Sequence, residues 1–422
     1  MRRGEYFSQR LQKKLRDANG CARGLAHRHG TRANTVGLTA DSAYTQRMTS
    51  ARGASTTPSE DAFYLPADAC RHARLWLPWP CEADAMLRPH IAQLAKDIVA
   101  FEPVVLVTVD EPSARRMCGE VGEIVALAHT TLRLRDIGPA FLVDGKGGAA
   151  AADWRFNRWG ARAPTSDAHS DADAIFGHSL LGFAEVRRFR APLTLEPGSF
   201  VGDGRDTVIA LAAAVFDPAR NPQLARLEAY AFFRHWLGMT RVIWLEDAHP
   251  ADALMSDVRA LVAFAKPGVA LVSGAGGDHP HAAALQRTAC ALANTRDAQG
   301  KHLECVALPA PPLRHDAAAP LSYTTYLAVN GAVFVPAYDD ATDNEAAAIF
   351  ARLFPDREIR LTPALDLARA GATLASLAIP QPARLLERDR ATVLPRSAWS
   401  QQAPDVDAML QKYIDLAEKS GD

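Results

Sequence analysis

Residues 133–139 read Arg-Leu-Arg-Asp-Ile-Gly-Pro, and Asp136 is the group in them best suited to chemistry. It lies between a basic residue and a Gly-Pro turn, with an apolar run after it. That places one carboxylate at the mouth of a strand, its backbone fixed by Pro139. A carboxylate so held can grip a cation through charge-assisted bidentate hydrogen bonds. Taken alone, the same residues read as a surface turn. A second polar and aromatic stretch follows at 153–160, Asp-Trp-Arg-Phe-Asn-Arg-Trp-Gly. Six cysteines are scattered without CxxC pairs, so they suggest neither a disulfide framework nor a zinc site. The run Ser273-Gly-Ala-Gly-Gly-Asp-His-Pro280 lacks the ending and spacing of a phosphate cradle and reads as an ordinary loop. No metal and no cofactor is expected.

The elements that must position these residues are those of a globular protein. The chain has 422 residues, 48% of them hydrophobic, enough for a sizeable core. The net charge of −1 argues against a nucleic-acid surface. Residues 1–47 hold ten of the 47 Lys/Arg and three of the 48 Asp/Glu, a net of +7, which leaves −8 for the rest. This basic, acid-poor opening reads as disordered up to about residue 57. A transit segment would look similar, and so would translation that truly begins at Met48. N-terminal mass spectrometry of the native protein distinguishes them. No apolar run reaches the ~18 residues needed to span a bilayer, so a cytoplasmic location is expected.

Leu87, Ile91, Leu94 and Ile98 form one buried helical stripe, and residues 103–109 a buried strand. Strands are then expected at 208–215, 242–245, 269–272 and 358–361, with helices at 223–236, 282–293, 344–354 and 364–370. Asn330-Gly331 marks a hairpin over 326–335 through a type I′ turn. Loosely repeated ββαβ units favour a closed, propeller-like arrangement over a doubly wound sheet. A last amphipathic helix is expected near 406–417, within a C-terminal extension of 386–422 that packs on the surface or on a second subunit.

Arg135 to Pro139, with Phe156-Asn157 and Trp159-Gly160, resembles the agmatine deiminase and bacterial-type peptidylarginine deiminase family. The resemblance spans about residues 64–385, and 58–385 is expected to be one domain. It implies the pentein fold, a five-bladed α/β propeller with its site in the central channel. It further implies guanidino-group hydrolysis, as in the conversion of agmatine to N-carbamoylputrescine on the way to putrescine. By this match Asp136 grips the substrate guanidinium, although Arg133 stands where the family has tryptophan. Leu195-Glu196-Pro197-Gly198-Ser199 matches the family's Glu-Gly-Gly-Ser and makes Glu196 the second binding acid. Trp79, in Trp76-Leu-Pro-Trp79-Pro80, and Asn157 become candidates for lining the cleft.

The catalytic groups themselves are replaced. An ungapped match puts Ser256-Asp257-Val258-Arg259 on the family's Gly-His-Val-Asp, so Asp257 takes the proton-shuttling histidine's place and Arg259 a binding aspartate's. Two apart on a strand, Asp257 and Arg259 would share a face and pair. Ser376 falls on the nucleophilic cysteine, with Ala375 before it, and no cysteine follows Cys305. Cys118 is too early in the chain to be that nucleophile. A serine is a weak nucleophile without a base, and His249 has no motif behind it. The expected function is a non-catalytic relative that binds a guanidino, ureido or carboxylate ligand, or serves as a partner subunit. It would assemble with itself or with an active paralogue, and would bind neither nucleic acid nor membrane. The alternative is an active C–N hydrolase that recruits Ser376 or Asp257.

Overall fold

The computed structural model describes residues 57–162, 170–274 and 279–384. The basic N-terminal segment before residue 57, the C-terminal helix near 406–417 and the centre of the 273–280 glycine run lie outside them. Among the described residues there are five separate sheets. In chain order their strands are β1 (His72–Pro78), β2 (Val104–Val107), β3 (Glu123–Val125), β4 (Ala140–Val143), β5 (Ala149–Arg155) and β6 (Arg187–Thr194). There follow β7 (Phe200–Gly202), β8 (Thr207–Leu211), β9 (Arg241–Leu245), β10 (Val262–Lys266), β11 (Val269–Ser273) and β12 (Glu304–Leu308). The last four are β13 (Leu327–Val329), β14 (Ala332–Ala337), β15 (Glu358–Pro363) and β16 (Ile379–Pro382).

Each sheet has the same plan: an antiparallel pair, then a helix, then a strand parallel to the second. The five helices are α1 (Arg88–Ile98), α2 (Ser170–Ala184), α3 (Arg226–Leu237), α4 (Ala282–Ala293) and α5 (Thr342–Leu353). In the first sheet the antiparallel partner of β1 is the last strand, β16, in register Trp76↔Ile379. The chain therefore closes its circle by pairing its two ends, and β3 adds an extra parallel edge. This is the pentein fold, and it is built because no single ββαβ unit can bury both faces alone. Four apolar clusters fill the interior, each drawing side chains from adjoining sheets. Leu87, Ile91, Leu94 and Ile98 are all buried there, as their spacing requires.

Two local expectations are corrected. The strand read over 208–215 stops at Leu211; Ala212–Val215 is a helical turn, in keeping with the helix propensity of its three alanines. The 326–335 hairpin forms, but not through a type I′ turn. Of its two central residues only Gly331 has positive φ, at 81°. The Asn330 side chain instead bonds the backbone of His72, from His72 N (2.9 Å) and to His72 O (2.9 Å).

Candidate functional site

Short helical turns carry the chain from each sheet to the next: Leu134–Ile137, Pro197–Ser199, Val258–Ala260, Tyr323–Thr325 and Leu374–Leu377. Each turn packs on its neighbours, and the five close a ring at the centre of the molecule. Their N-cap residues are Arg133, Glu196, Asp257, Ser322 and Thr373. Asp257, Ser322 and Thr373 cap in the ordinary way, each side chain accepting a backbone N–H of its own turn. Arg133 is the one cation in the set. The ring thus gathers Asp136, Glu196, Asp257, Arg259 and Ser376, which lie as much as 240 residues apart in the case of Arg135 and Ala375 beside them.

Asp136 is 1% exposed. Its Oδ2 accepts from Arg133 Nε (2.7 Å), Trp159 Nε1 (2.8 Å) and Ser256 Oγ (3.1 Å). Its Oδ1 is buried without a hydrogen-bond partner among the described residues. A Cβ on Gly198 would stand 2.1 Å from Oδ1 and 2.8 Å from Ser256 O, so only glycine lets the neighbouring turn approach this carboxylate. Gly198→Ala should lower stability by about 1–3 kcal/mol, the usual cost of overpacking, as read by urea denaturation. An unchanged midpoint would show that the two turns can separate freely.

Trp159 reaches Asp136 from a left-handed turn. Arg158, Trp159, Gly160 and Ala161 all have φ between 58° and 68°, a conformation that costs roughly 1–2 kcal/mol for each non-glycine residue. Asn157 holds this turn, accepting from Gly160 N (2.8 Å) and donating to Ala219 O (2.8 Å). Its amide is thereby committed to the scaffold. Phe156 braces Trp159 edge-on at 4.9 Å. Trp79 stands behind the ring, 1% exposed in the apolar cluster that also contains Leu132, Tyr323 and Leu374.

Glu196 is fully buried and faces Arg220, whose Nε lies 3.1 and 3.0 Å from its two oxygens. Arg220 also donates to Asp217 Oδ2 (2.9 Å) and Leu254 O (2.9 Å). Burial pushes the Glu196 carboxyl up to about 7; Asp136 nearby adds to the rise, and Arg220 only partly opposes it. Pro197, in place of a family glycine, is the first residue of its turn, where its fixed φ suits the helical start.

Ser376 is buried, and its hydroxyl is fully engaged: it donates to Thr373 O (3.0 Å) and accepts from Thr373 N (2.8 Å). Thr373 Oγ1 accepts from Ser376 N (3.1 Å) and donates to Asp257 Oδ2 (3.0 Å). Burial raises the Asp257 pKa, against the pull of Arg133. His249 takes no part in this network: its Nδ1 accepts from Ala251 N (3.1 Å), its ring abuts His281, and burial holds its pKa down to about 3. Cys118 is buried at the end of helix Glu111–Cys118, and burial pushes its thiol up.

The expected pairing of Asp257 with Arg259 is corrected. The segment is a helical turn with about three residues per revolution, so residues two apart diverge rather than share a face. Asp257 Oδ1 accepts only the backbone N–H of Arg259 (3.1 Å). The Arg259 guanidinium turns away to Asp68 Oδ2 (2.7 Å) and Phe200 O (3.1 Å). Arg135 joins it there, at Asp68 Oδ1 (3.2 Å) and Ala375 O (2.9 Å). Burial alone would push the Asp68 carboxyl up, but Arg135 and Arg259 outweigh it and hold it well below the usual range. Asp68 and Arg220 carried no signal of their own in the sequence, and Ser256 was visible only as the first residue of the matched run 256–259.

Residues 64–382 match the model of the Porphyromonas-type peptidyl-arginine deiminase family. The chain belongs to this family. An agmatine deiminase of Pseudomonas putida is 30% identical over 360 residues, covering 78% of this chain and 98% of that relative. Agmatine deiminase of Enterococcus faecalis shares the deiminase-family fold at a TM-score of 0.73 and 23% identity, over 79% of this chain and 99% of that one. The C. jejuni agmatine deiminase is similar at a TM-score of 0.67 and 19% identity, over 76% and 97%. Among the described residues, no group of three His, Cys, Asp or Glu could hold a metal, and no helix is long and apolar enough to cross a membrane.

Proposed function

We propose that this protein is a non-catalytic member of the deiminase family, one that binds a small ureido or carboxylate ligand, or a partner subunit, through the ring of turns. One observation carries the reading. The hydroxyl of Ser376, at the position matched to the nucleophile, spends its proton on Thr373 O and meets no imidazole. A hydroxyl is a poor nucleophile unless a base takes that proton. A C–N hydrolase reading has one observation in its favour: the raised carboxyl of Asp257 bonds the Thr373 hydroxyl next to Ser376. Among the described residues, no imidazole bonds Ser376 or Asp257 to shuttle a proton to departing ammonia and then activate water.

The purified protein is expected to release no ammonia from agmatine, arginine or a peptidyl-arginine substrate above a heat-inactivated control. Sustained release from any of the three sinks the proposal. Ser376→Cys should also remain inactive. Catalytic groups that act as a unit lose nearly everything when one is missing, so restoring one gains little. The new thiol would have no cationic imidazole to lower its pKa. Ammonia release by this single variant well above the parent would show that the remaining groups already suffice.

A further inference from the structure

We propose that Arg133 is a resident substitute for a guanidino ligand: its own guanidinium fills the place on Asp136 that such a ligand would need, and so excludes cationic ligands from the ring. The inference rests on reading Asp136 as the guanidinium-binding acid. The geometry that carries it is specific. Arg133 is 4% exposed, and its guanidinium touches three of the five turns or their flanks. Nε donates to Asp136 Oδ2 (2.7 Å), Nη2 to Ser256 Oγ (2.7 Å), and Nη1 approaches Gly371 O (3.4 Å). Ser256 Oγ passes a bond on to the same Asp136 oxygen (3.1 Å), closing a cycle of carboxylate, guanidinium and hydroxyl.

Nothing in local helix chemistry favours this placement. Helix N-caps prefer Ser, Thr, Asp and Asn, and a helix start favours anions. Arg133 caps nothing with its side chain. Burial would make its guanidinium give up its proton more readily, but Asp136, Asp252 and Asp257 outweigh that and hold it firmly charged. A cation thus sits among the positions that the family match assigns to substrate binding and proton transfer. A free guanidinium would have to displace a tethered one that suffers no loss of translational freedom on binding. Arg259, which the match puts in a binding aspartate's place, faces Asp68 instead.

Truncation tests this directly. Arg133→Ala removes the guanidinium and the last two methylenes of its stem, a fragment equivalent to ethylguanidinium. Thermal unfolding of Arg133→Ala should move up saturably in millimolar ethylguanidinium and recover most of the lost Tm, while neutral ethylurea gives no recovery. The parent protein should show no upward shift with ethylguanidinium or agmatine. Absence of rescue, or an equal shift in the parent, overturns the proposal. If Arg133→Ala does not fold alone, it is refolded by dilution with each additive. Native circular dichroism regained in ethylguanidinium and not in ethylurea supports the proposal, and failure in both overturns it. Ammonia is measured in the same samples with agmatine. Release by Arg133→Ala would end the non-catalytic reading yet leave the resident guanidinium standing, whereas no rescue and no ammonia would do the opposite.

Discussion

Asp136→Ala is expected to destabilise the protein by about 3–5 kcal/mol, the range for breaking a buried ion pair from one side. The reason lies in what remains. Arg133 stays charged and 4% exposed, with a serine hydroxyl and one carbonyl as its nearest partners. Trp159 Nε1 and Ser256 Oγ lose the acceptor they share. Both members of the pair are almost wholly out of solvent, at 4% and 0% of the side chain, so salt should screen the effect little. Denaturation in urea gives the number. A double-mutant cycle with Arg133→Leu gives the cause, because removing both charges leaves neither unpaired. The double variant should be more stable than the sum of the single losses by about 1–3 kcal/mol. Simple additivity would mean that the two side chains do not stabilise one another. A loss below ~1 kcal/mol for Asp136→Ala would mean that water reaches the pair readily.

The same residues show how far the sequence could be read. The family resemblance, the five-bladed plan and the gathering of Asp136, Glu196, Asp257 and Ser376 were legible, because each lies in a short motif that marks a junction between sheets. Periodicity found α1, α3, α4 and α5, since their buried stripes are set by neighbouring sheets, but it did not find α2. Directions were less legible than positions. Arg135 and Asp136 are adjacent, yet one binds Asp68 and the other Arg133. Successive residues of a helical turn face about 100° apart, and nothing in the pattern announced that turn. Arg259 was misread for the same reason. Arg133 was visible only as a departure from the family tryptophan. Its role depends on Ser256 and Gly371, 123 and 238 residues away, and no local pattern encodes such a meeting. Trp79 and Asn157 carry aromatic and amide groups suited to a ligand, but one is packed in the core and the other holds a left-handed turn.

Raising the pH from about 4.5 to about 7 should weaken the protein through Glu196. The sign follows from proton linkage. Burial pushes the folded Glu196 carboxyl up to about 7, above the ordinary 4.5 of the free side chain, so the folded state binds this proton more tightly than the unfolded chain. The stabilisation is fully present below ~4.5 and is lost as pH climbs to ~7 and beyond. At 1.36 kcal/mol per pKa unit, the change across that window is on the order of 3 kcal/mol. The carboxyl is fully buried, so solvent screening does not reduce it. Asp203, pushed up to about 6 by burial, slopes the same way, and Asp68 slopes oppositely at lower pH. The test is therefore a difference. Urea midpoints of the parent and of Glu196→Gln, measured at intervals from pH 4.5 to 8, should diverge in slope. The variant, which keeps the volume and offers an N–H where the proton was, should be flatter by most of that amount. Equal slopes would mean that Arg220 holds Glu196 ionised throughout. Glu196 would then stand as an anion against Arg220, with no proton to release when a ligand binds.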